Sequence, residues 1–393
     1  MANIQPADRV NQVQEYYFSR KQKEIVRLNA EGKDIISLAI GSPDMPPSQQ
    51  AIDKLCEVAR NPNAHGYQPI MGTPELRQAM ARFYKKWFDV DLDPATEIQP
   101  LIGSKEGMLH VTLAFCNVGD KVLVPNPGYP TYTSLTKMLG CQVVNYNLME
   151  DNDWQPDFEQ LESMDLTGVK LMWTNYPNMP TGGKSKRETL EWLVDFARRK
   201  NIVVVNDNPY AFILSHEHLS ILQIPGAKDH CIEFNSMSKS HNMAGWRVGL
   251  AASNATFISW ILKMKSNIDT GTFRAIQLAA AEAYDNNTPE WHEEFNYVNY
   301  KRRRNIAEQI MTELGCTFNP NQVGMFLWGK IPESVVNVED LTERVLHQAR
   351  VFITPGFIFG SNGNRYIRIT LCAKEDRLEE ALQRIKEMNK QIQ

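Results

Sequence analysis

A lysine lies between serines in the stretch SMSKSHNMAGWRVG, which spans positions 236 to 249. Lys239 follows Ser236 by three residues and precedes Arg247 by eight. A primary amine can form a Schiff base with an aldehyde, whereas hydroxyl groups and an arginine side chain bind phosphate well. A string of this composition is more often an exposed loop. The stretch therefore offers amine and anion-binding chemistry, and its use depends on residues elsewhere in the chain.

Polar residues also follow three other apolar runs, at the points where we expect strands to end. Asp207 closes the run VVVND, Gly103 and Ser104 follow EIQPLI, and the turn-forming NYPNMPTGG follows VKLMWT. Taken singly, these residues are typical of helix caps and turns. In an open α/β sheet, however, ligands bind at the carboxyl ends of the strands. We therefore expect the four polar clusters to meet at one edge of the sheet.

One cofactor has a use for all four clusters. Pyridoxal 5′-phosphate carries an aldehyde, a pyridine nitrogen and a phosphate, which need an amine, a carboxylate and anion-binding groups respectively. Lys239 would supply the amine and Asp207 the carboxylate, and the phosphate would be bound by Ser104, Ser236 and Arg247. The joint presence of these residues predicts a pyridoxal-phosphate site. No metal site is indicated, because the six cysteines include no CxxC pair and no histidine partner at ligand spacing.

The elements that must position these residues follow an α/β pattern. Between about residues 95 and 252, short β-branched runs alternate with amphipathic segments such as SKEGMLHVTLAF and SKRETLEWLVDFARRK. This alternation is typical of a mainly parallel sheet with crossover helices. The strands are predicted in the seven runs EIQPLIG, KVLVP, CQVVNY, VKLMWTN, NIVVVND, HCIEFNS and RVGLAAS.

The rest of the chain is arranged around this sheet. Residues 254–314 are predicted to be helical apart from a break near NIDTGTF, and residues 315–393 alternate helices with the strands MFLWGKI, VFITPG and RYIRITL. We predict a large cofactor-binding domain over residues 46–290 and a small α+β domain over residues 291–393. The N-terminal segment, residues 1–45, is expected to have no sheet of its own and to pack on the tail or on a partner.

Charge and composition narrow the classes of partner. The chain has 393 residues, of which 42% are apolar, and a net charge of −4, so it has no general attraction to nucleic acid or anionic membranes. Glutamates dilute the basic run KRRRN at residues 301–305, which is therefore predicted to be a solvated helix face. No apolar run approaches the ~18 residues of a membrane span, and the N-terminus lacks an apolar signal region. We expect a soluble cytoplasmic protein with reduced cysteines.

With these motifs in place, the sequence resembles a known family, the class I/II aminotransferases of pyridoxal-phosphate fold type I. The resemblance covers nearly the whole chain and implies a large α/β domain with a smaller α+β domain. IGSKEG, PGYP and SKSHNMAGWR are most similar to the branch that contains alanine and LL-diaminopimelate aminotransferases. The landmarks, in the family's order, are LAIGSPD, YQPIMGTPELR, IGSKEG, PNPGYPTY, NYPNMPTG, NDNPY, SMSKSHNMAGWRVG and YIRIT.

The resemblance implies roles for further residues around the cofactor. Tyr210 would hydrogen-bond the ring hydroxyl group, and Tyr129 would stack on the ring. Gly103 and Lys105 would join the phosphate ligands. Tyr67 would reach the phosphate in the site of a second subunit, which implies a homodimer with shared active sites.

The resemblance also implies a substrate site. Arg368 would bind the α-carboxylate of the substrate, and Gly41 would offer a backbone contact there. Arg365 is the neighbour that could take the place of Arg368. The side chain of the substrate would meet the N-terminal segment, loops or the partner subunit, for which QEYYFSR and NIDTGTF are candidates.

One position departs from the family's pattern. The family usually has asparagine directly before Pro-Thr-Gly, where the amide binds both the cofactor's ring oxygen and the substrate; this chain has Met179 there. Either Asn178 makes the contact after a shift of the backbone, which is our prediction, or Tyr210 holds the ring oxygen alone.

The implied reaction is the transfer of an amino group between an amino acid and a 2-oxo acid by a ping-pong mechanism. Lys239 would move the proton from Cα as general base and then as general acid. The alternative is a C–S lyase or another lyase, because the same cofactor site supports those reactions. A non-catalytic cofactor-binding module is disfavoured, since the Lys239 and Asp207 positions are both filled. Alanine-like, dicarboxylic and diaminopimelate substrates all stay open.

Overall fold

The computed structural model describes residues 4–12 and 17–392 of the chain. The helices in this part are α1 (Asp8–Gln12), α2 (Tyr17–Ala30), α3 (Gln49–Ala59), α4 (Pro74–Phe88), α5 (Ser104–Phe115), α6 (Pro130–Met138), α7 (Phe158–Ser163), α8 (Arg187–Lys200), α9 (Met237–Ser240), α10 (Ala255–Lys265), α11 (Arg274–Asn286), α12 (Pro289–His292), α13 (Asn299–Glu313), α14 (Val338–Arg344) and α15 (Glu375–Ile392). The strands are β1 (Ile36–Ser37), β2 (Ile98–Leu101), β3 (Lys121–Asn126), β4 (Gln142–Asn147), β5 (Val169–Thr174), β6 (Val203–Asp207), β7 (Cys231–Ser236), β8 (Gly249–Ala252), β9 (Phe326–Lys330), β10 (Val351–Phe352), β11 (Thr354–Pro355) and β12 (Tyr366–Thr370).

A seven-stranded sheet forms the centre of the molecule, in the order β2-β8-β7-β6-β5-β3-β4. Strand β8 runs antiparallel to both of its neighbours, and the other pairs are parallel. Each of the seven runs predicted as strands overlaps one of these strands, so the predicted α/β class and mainly parallel sheet are confirmed.

Strand residues alternate between two apolar layers, one on each face of this sheet. On β5, Leu171 and Trp173 pack into one layer and Met172 into the other; on β6, Val205 and Val204 divide in the same way. This period of two is the geometry of a pleated strand. Because helices cover both faces of the sheet, its strands are near-continuous apolar runs. The packing on both faces fixes the positions of the strand ends.

The register of the strands decides which loops meet. Asp207 at the end of β6 is paired with Phe234 of β7, so the residues that follow these two strands emerge side by side. On the other side of β7, strand β8 pairs with β2 through Gly249 and Leu101. The turn after β2 therefore lies beside the turn before β8, as the prediction of one shared edge requires.

A smaller antiparallel sheet has three strands in the order β11-β12-β9. Helix α13 contacts β9, and α15 packs on α13. Part of the N-terminal segment contacts the tail, since Ile36 of β1 pairs in parallel with Val351 of β10. The segment holds one short strand, β1, whose partner β10 belongs to the tail, so this two-stranded sheet is not the segment's own. A strand of two residues leaves no periodic pattern in a sequence. Residues 1–3 and 13–16 of the segment lie outside the described residues, and the domain boundaries at 45/46 and 290/291 stay predictions.

The run KRRRN was predicted to be a solvated face of α13, and two of its four basic residues are buried instead. Lys301 and Arg302 are exposed, but Arg303 and Arg304 are buried. Arg303 forms a two-pronged ion pair with Asp44, at 2.7 and 3.0 Å. Arg304 donates to several carbonyl oxygens of the 319–322 turn. These two arginines therefore hold the N-terminal segment and a turn against the helix. Within the described ranges, no helix is both long and apolar enough to cross a membrane.

Candidate active site

A cavity of about 580 Å³ opens at the carboxyl ends of β5, β6 and β7. Its walls come from the large sheet, from the N-terminal segment and from β12. The structure brings ten of the predicted site residues to its wall, namely Gly41, Ser104, Lys105, Tyr129, Asp207, Tyr210, Ser236, Lys239, Arg247 and Arg368. Gly103 lies directly behind the wall, and Asn178 and Tyr67 are not part of it.

Lys239 is presented to the cavity by the short helix α9, which starts where β7 ends. Ser236 caps this helix, because its hydroxyl oxygen accepts the backbone N–H of Ser238 at 3.2 Å. The Lys239 ammonium donates to the carbonyl oxygen of Gly41. Burial lowers the pKa of Lys239, and the positive charge of Arg368 lowers it further. A larger neutral fraction makes this amine a better nucleophile.

Asp207 has one carboxylate oxygen engaged and one unsatisfied. Oδ2 accepts the hydroxyl of Tyr132 at 2.9 Å, whereas the buried Oδ1 has no hydrogen-bond partner among the described residues. Burial raises the pKa of Asp207 to about 7, although the hydrogen bond from Tyr132 opposes this. A buried carboxylate oxygen without a donor is costly, and a protonated pyridine nitrogen would supply the missing donor. The site thus fits the ring of pyridoxal phosphate.

The predicted phosphate ligands surround the start of α5. The hydroxyl of Ser104, the first residue of that helix, is buried and unpartnered in the part of the chain described here. Gly103 has φ +77°, and a Cβ there would lie 2.1 Å from Nη2 of Arg247. Arg247 is held by its hydrogen bond to the carbonyl of Ile102 at 3.1 Å. Backbone N–H groups at a helix start, hydroxyl groups and a guanidinium together are well suited to bind a phosphate. Ser238, which was not predicted from the sequence, adds a further hydroxyl to this wall.

Arg368 lies on β12 and closes the opposite end of the cavity. Its guanidinium carbon is 3.9 Å from the ring centre of Phe326 and 4.6 Å from that of Phe359. Nη2 donates to the carbonyl of Ala39 at 2.7 Å. A side chain added at Gly41 would lie 2.2 Å from Phe326, so this wall needs a glycine. The guanidinium therefore has a fixed plane and a fixed position, which suits it for a carboxylate.

Arg365, the neighbour considered as a rival, does not line the cavity. Its guanidinium donates to the carbonyl oxygens of Pro332 at 2.8 Å and of Val335. It therefore holds the loop that follows β9. The two arginines are three residues apart along an extended segment, so their side chains point to opposite faces.

Asn178 is engaged within its own turn and is not at the cavity wall. Its Oδ1 accepts from the backbone N–H and the hydroxyl of Thr181, at 3.3 and 2.6 Å, and its Nδ2 donates to the carbonyl of Asn175. Asn175 lines the cavity instead, next to Met179. Nδ2 of Asn175 donates to the backbone carbonyl of Asp207 at 2.5 Å. The shift of the backbone that would bring Asn178 to the cofactor is absent.

The three tyrosines predicted around the cofactor differ in their placement. Tyr210 is buried in the cavity wall, and Tyr129 is half-buried with its ring edge-to-face to Tyr132, 5.6 Å between centres. Tyr67 is 94% exposed and lies outside the cavity. Its neighbour Gln68 forms an isolated β-bridge with Gly271. In a single chain Tyr67 therefore touches nothing of this site.

The sequence reasoning missed several residues of the cavity wall, among them the polar Tyr132, Asn175 and Ser238 and the apolar Ile40, Phe326 and Phe359. Asn175 directly follows β5, as Asp207 ends β6, so the strand-end rule could have found it. Of the two segments proposed to meet the substrate side chain, QEYYFSR contributes Phe18 and Ser19, while its residues 14–16 lie outside the described part of the chain. NIDTGTF does not line this cavity.

Comparisons with known proteins agree with this geometry. The family model described as aminotransferase class I and II matches residues 33–385. The chain is 37% identical over 379 residues to an LL-diaminopimelate aminotransferase of Dehalococcoides mccartyi, which covers 96% of this chain and 97% of the relative. It is 38% identical over 384 residues to the Aquifex aeolicus protein of that name, with coverage of 97% and 98%.

Solved structures agree as well. Substrate-bound BacF from Bacillus subtilis superimposes with a TM-score of 0.93 at 33% identity and covers 99% of this chain and 98% of that one. The aromatic aminotransferase of Pyrococcus horikoshii has a TM-score of 0.88 at 28% identity, with coverage of 98% of each chain.

These matches confirm the predicted fold type, cofactor and enzyme class. They also confirm the predicted nearness to the LL-diaminopimelate aminotransferase branch. The lyase alternative and the non-catalytic module gain no support from them. The chain belongs to the class I and II aminotransferases, which use pyridoxal 5′-phosphate on the fold type I scaffold.

Proposed function

We propose that Lys239 is the residue that binds the cofactor's aldehyde and that moves the proton of the transamination. When bound, pyridoxal phosphate supplies a sink for the electron pair that the breaking Cα–H bond releases. Nζ of Lys239 takes the proton from Cα of the amino acid and then gives it up on the cofactor side. The lowered pKa of Lys239 supports this role, because a general base must be neutral before it accepts a proton.

Two buried atoms of the cavity, Oδ1 of Asp207 and the hydroxyl of Ser104, are unsatisfied among the residues described and support the assignments to the ring and the phosphate. Oδ1 of Asp207 accepts the pyridinium N–H, while Tyr132 holds the carboxylate in place from the other side. Ser104 and Arg247 bind the phosphate, together with the hydroxyls at the start of α9, the backbone of Gly103 and Lys105. Tyr210 donates to the ring hydroxyl oxygen.

Tyr129 covers one face of the ring, since its half-buried side chain forms part of the cavity wall. In place of Asn178 we assign Asn175 as the neighbouring amide. This exchange is supported by its position in the cavity wall and by its hydrogen bond to the Asp207 backbone. An amide fixed in this way has its orientation set before any ligand arrives.

The substrates are an α-amino acid and a 2-oxo acid, which share a carboxylate for the Arg368 fork. Because one carboxylate site serves both, the two must bind in turn, and the reaction is ping-pong. Gly41 supplies a backbone contact beside this fork. The names of the curated relatives make LL-diaminopimelate one donor to test.

We also assign a homodimer with shared active sites. Tyr67 is almost fully exposed in the single chain, although it is a large aromatic residue next to the stacked pair of His65 and Phe273. In a dimer it would bind the phosphate of the partner's site. The acidic net charge suits a cytoplasmic enzyme with no nucleic-acid or membrane partner.

Reduction with borohydride tests the central assignment. In the enzyme loaded with pyridoxal phosphate, the reduced cofactor should be found by mass spectrometry on the peptide that contains Lys239. The Lys239→Ala variant should carry no label and form no 2-oxo acid from an amino acid. Lys228→Ala is the matched control, because Lys228 pairs with Glu97 away from the cavity. Label on Lys105 instead, or turnover in Lys239→Ala, would refute the assignment.

A further inference from the structure

A glutamate, Glu233, is fully buried in the middle of the large sheet, on strand β7. Four neutral donors bind its two carboxyl oxygens. Oε1 accepts the hydroxyl groups of Tyr84 and Ser220, at 3.1 and 2.6 Å. Oε2 accepts Nδ2 of Asn206 and the backbone N–H of Ile221, at 3.2 and 2.9 Å. A carboxyl group is costly to bury even when its hydrogen bonds are made, and the contacts of one of these donors, Asn206, show what this one can do.

Asn206 connects the buried carboxyl group to the next strand of the sheet. Asn206 and Glu233 are partners in the register of β6 and β7, so their side chains lie on the same face. Because Oε2 of Glu233 takes N–H donors, the amide of Asn206 turns its nitrogen toward it. Oδ1 of Asn206 therefore faces β5, where it accepts the backbone N–H of Tyr176 at 3.1 Å and the hydroxyl of Thr174 at 3.2 Å. A flipped amide would place one N–H donor against another.

The two residues that Asn206 holds in β5 and its turn flank Asn175, the amide assigned above beside the cofactor. Oδ1 of Asn175 accepts the backbone N–H of Met179 at 2.8 Å, and Nδ2 donates to the carbonyl oxygen of Asp207 at 2.5 Å. This second contact uses one of the two hydrogens on Nδ2. The other stays available to a ligand, because Asn175 lines the cavity. Asn206 thus holds the backbone on both sides of an amide that faces the cofactor.

We propose that Glu233 is a positioning residue for the cofactor ring, and that it acts through Asn206 on the amide of Asn175. Glu233 itself is not part of the cavity wall. Its carboxyl group orients the Asn206 amide, this amide fixes the start of the turn after β5, and the turn presents Asn175 in one orientation. The inference rests on the proposed function, because it needs the cofactor ring beside Asn175. A purely structural role of Glu233 would be limited to joining helix α4 and the turn at Ser220 to the sheet.

The absorbance of bound pyridoxal phosphate, followed against pH in the holoenzyme, tests this role. A donor to the ring oxygen stabilises its anion and so favours loss of the proton that the bound cofactor carries. Displacing Asn175 should therefore raise the midpoint of this titration by about one pH unit, the equivalent of one hydrogen bond to a charged group. We expect this rise in Glu233→Met, which removes all four contacts, and in Asn206→Leu, which removes the connection to β5. Asn206→Leu decides the outcome if Glu233→Met does not fold.

Glu233→Gln and Tyr84→Phe are the matched controls. Glutamine can offer its oxygen to the N–H groups of Asn206 and Ile221 and its amide to the two hydroxyl groups, so the midpoint should shift by less than about half as much. Tyr84→Phe removes one hydroxyl from Oε1 and should lower the resistance to urea without moving the midpoint. In an Asn175→Ala background, Asn206→Leu should add less than about a third of the shift that it causes alone, because both act through one amide.

A midpoint in Asn206→Leu equal to that of the wild type would overturn the inference. Simple addition of the Asn206→Leu and Asn175→Ala shifts would do the same, as would an equal shift in Tyr84→Phe, which would show that only the packing of the sheet matters. With any of these results the wild-type enzyme still transaminates and is labelled on Lys239. A failure of the proposed function would show instead as a wild-type enzyme without that label.

Discussion

A buried lysine, Lys265, lies behind the predicted phosphate site and pairs with two carboxylates. Lys265 is 2% exposed, and its ammonium donates to Oε1 of Glu106 at 2.6 Å and to both carboxylate oxygens of Asp269 at 2.8 Å. Oε2 of Glu106 accepts the backbone N–H of Ile102 at 3.0 Å. Because Gly103 is the next residue, this cluster holds the phosphate turn in place from behind.

Replacing Lys265 by methionine keeps the length of the side chain and removes its charge. Two carboxylates then remain close together, and breaking a buried ion pair in this way costs about 3–5 kcal/mol. Glu106 and Asp269 each keep about a fifth of their side-chain surface exposed, so we expect a loss near the lower limit, about 3 kcal/mol, in the free energy of unfolding.

Cofactor affinity should fall as well. Glu106 would lose its cation but keep its contacts with His110 and with the backbone N–H of Ile102. Its negative charge lies in the first turn of α5, where the phosphate is to bind. Without the Lys265 ammonium, the repulsion between this carboxylate and the phosphate is no longer offset, and two such charges a few ångströms apart near a protein surface repel each other by about 1–4 kcal/mol. We therefore expect the dissociation constant of pyridoxal phosphate to rise about tenfold, which corresponds to about 1.4 kcal/mol.

Urea unfolding and spectroscopic titration with pyridoxal phosphate measure the two effects. The double variant Lys265→Met/Glu106→Gln removes the excess negative charge and should bind the cofactor more tightly than Lys265→Met alone. Lys228→Met serves as the control, because its half-buried pair with Glu97 should contribute less than about 1 kcal/mol. If Lys265→Met matched the wild type in both assays, or if the double variant bound more weakly still, the reasoning would be wrong.

Three further outcomes are expected. Because the pKa of Asp207 is raised to about 7, the folded cofactor-free protein keeps a proton that the unfolded chain has lost, and its stability falls as pH rises from about 4 to about 7. Denaturation series over this range should show that the free energy of unfolding falls less steeply with pH in Asp207→Asn, by about one proton. An unchanged slope would refute the assignment. Gly103→Ala should weaken pyridoxal-phosphate binding at least tenfold in titrations. The added Cβ would displace Arg247, and an alanine is strained at the φ of +77° that Gly103 adopts. Equal affinity would show that the guanidinium is not needed there. Arg368→Lys keeps the charge but loses the two-pronged contact and the stacking on Phe326. We therefore expect KM for every amino acid to rise about 30-fold, which corresponds to about 2 kcal/mol, with a smaller change in kcat. A loss confined to kcat would contradict a carboxylate-binding role.

Residues at strand ends could be predicted from the sequence, because a single rule covers them. Asp207 and Lys239 both follow apolar runs, and parallel strands bring such ends together. Arg368 was expected at the substrate because of the resemblance to the family, and strand periodicity adds only that Arg365 points to the opposite face. These predictions needed no knowledge of distant contacts.

Other features depend on the conformation of a turn or on partners far away in the chain. Asn175 and Asn178 belong to one turn, and its backbone decides which amide reaches the cavity. The burial of Arg303 depends on Asp44, which comes 259 residues earlier. Neither the dihedral angles of an irregular turn nor such a distant pairing leaves a periodic signal in the sequence.

The order of the central sheet has a consequence for synthesis on the ribosome. Strand β2 lies at an edge of the sheet and pairs with β8 alone. The turn that follows Leu101 is therefore fixed only after Gly249 has been synthesised and has paired with it. Arg368 is made later still. Long-range pairings of this kind form slowly and leave intermediates with exposed strands. The nascent chain thus has no complete phosphate site until β8 has emerged, and no complete substrate site until β12 has followed.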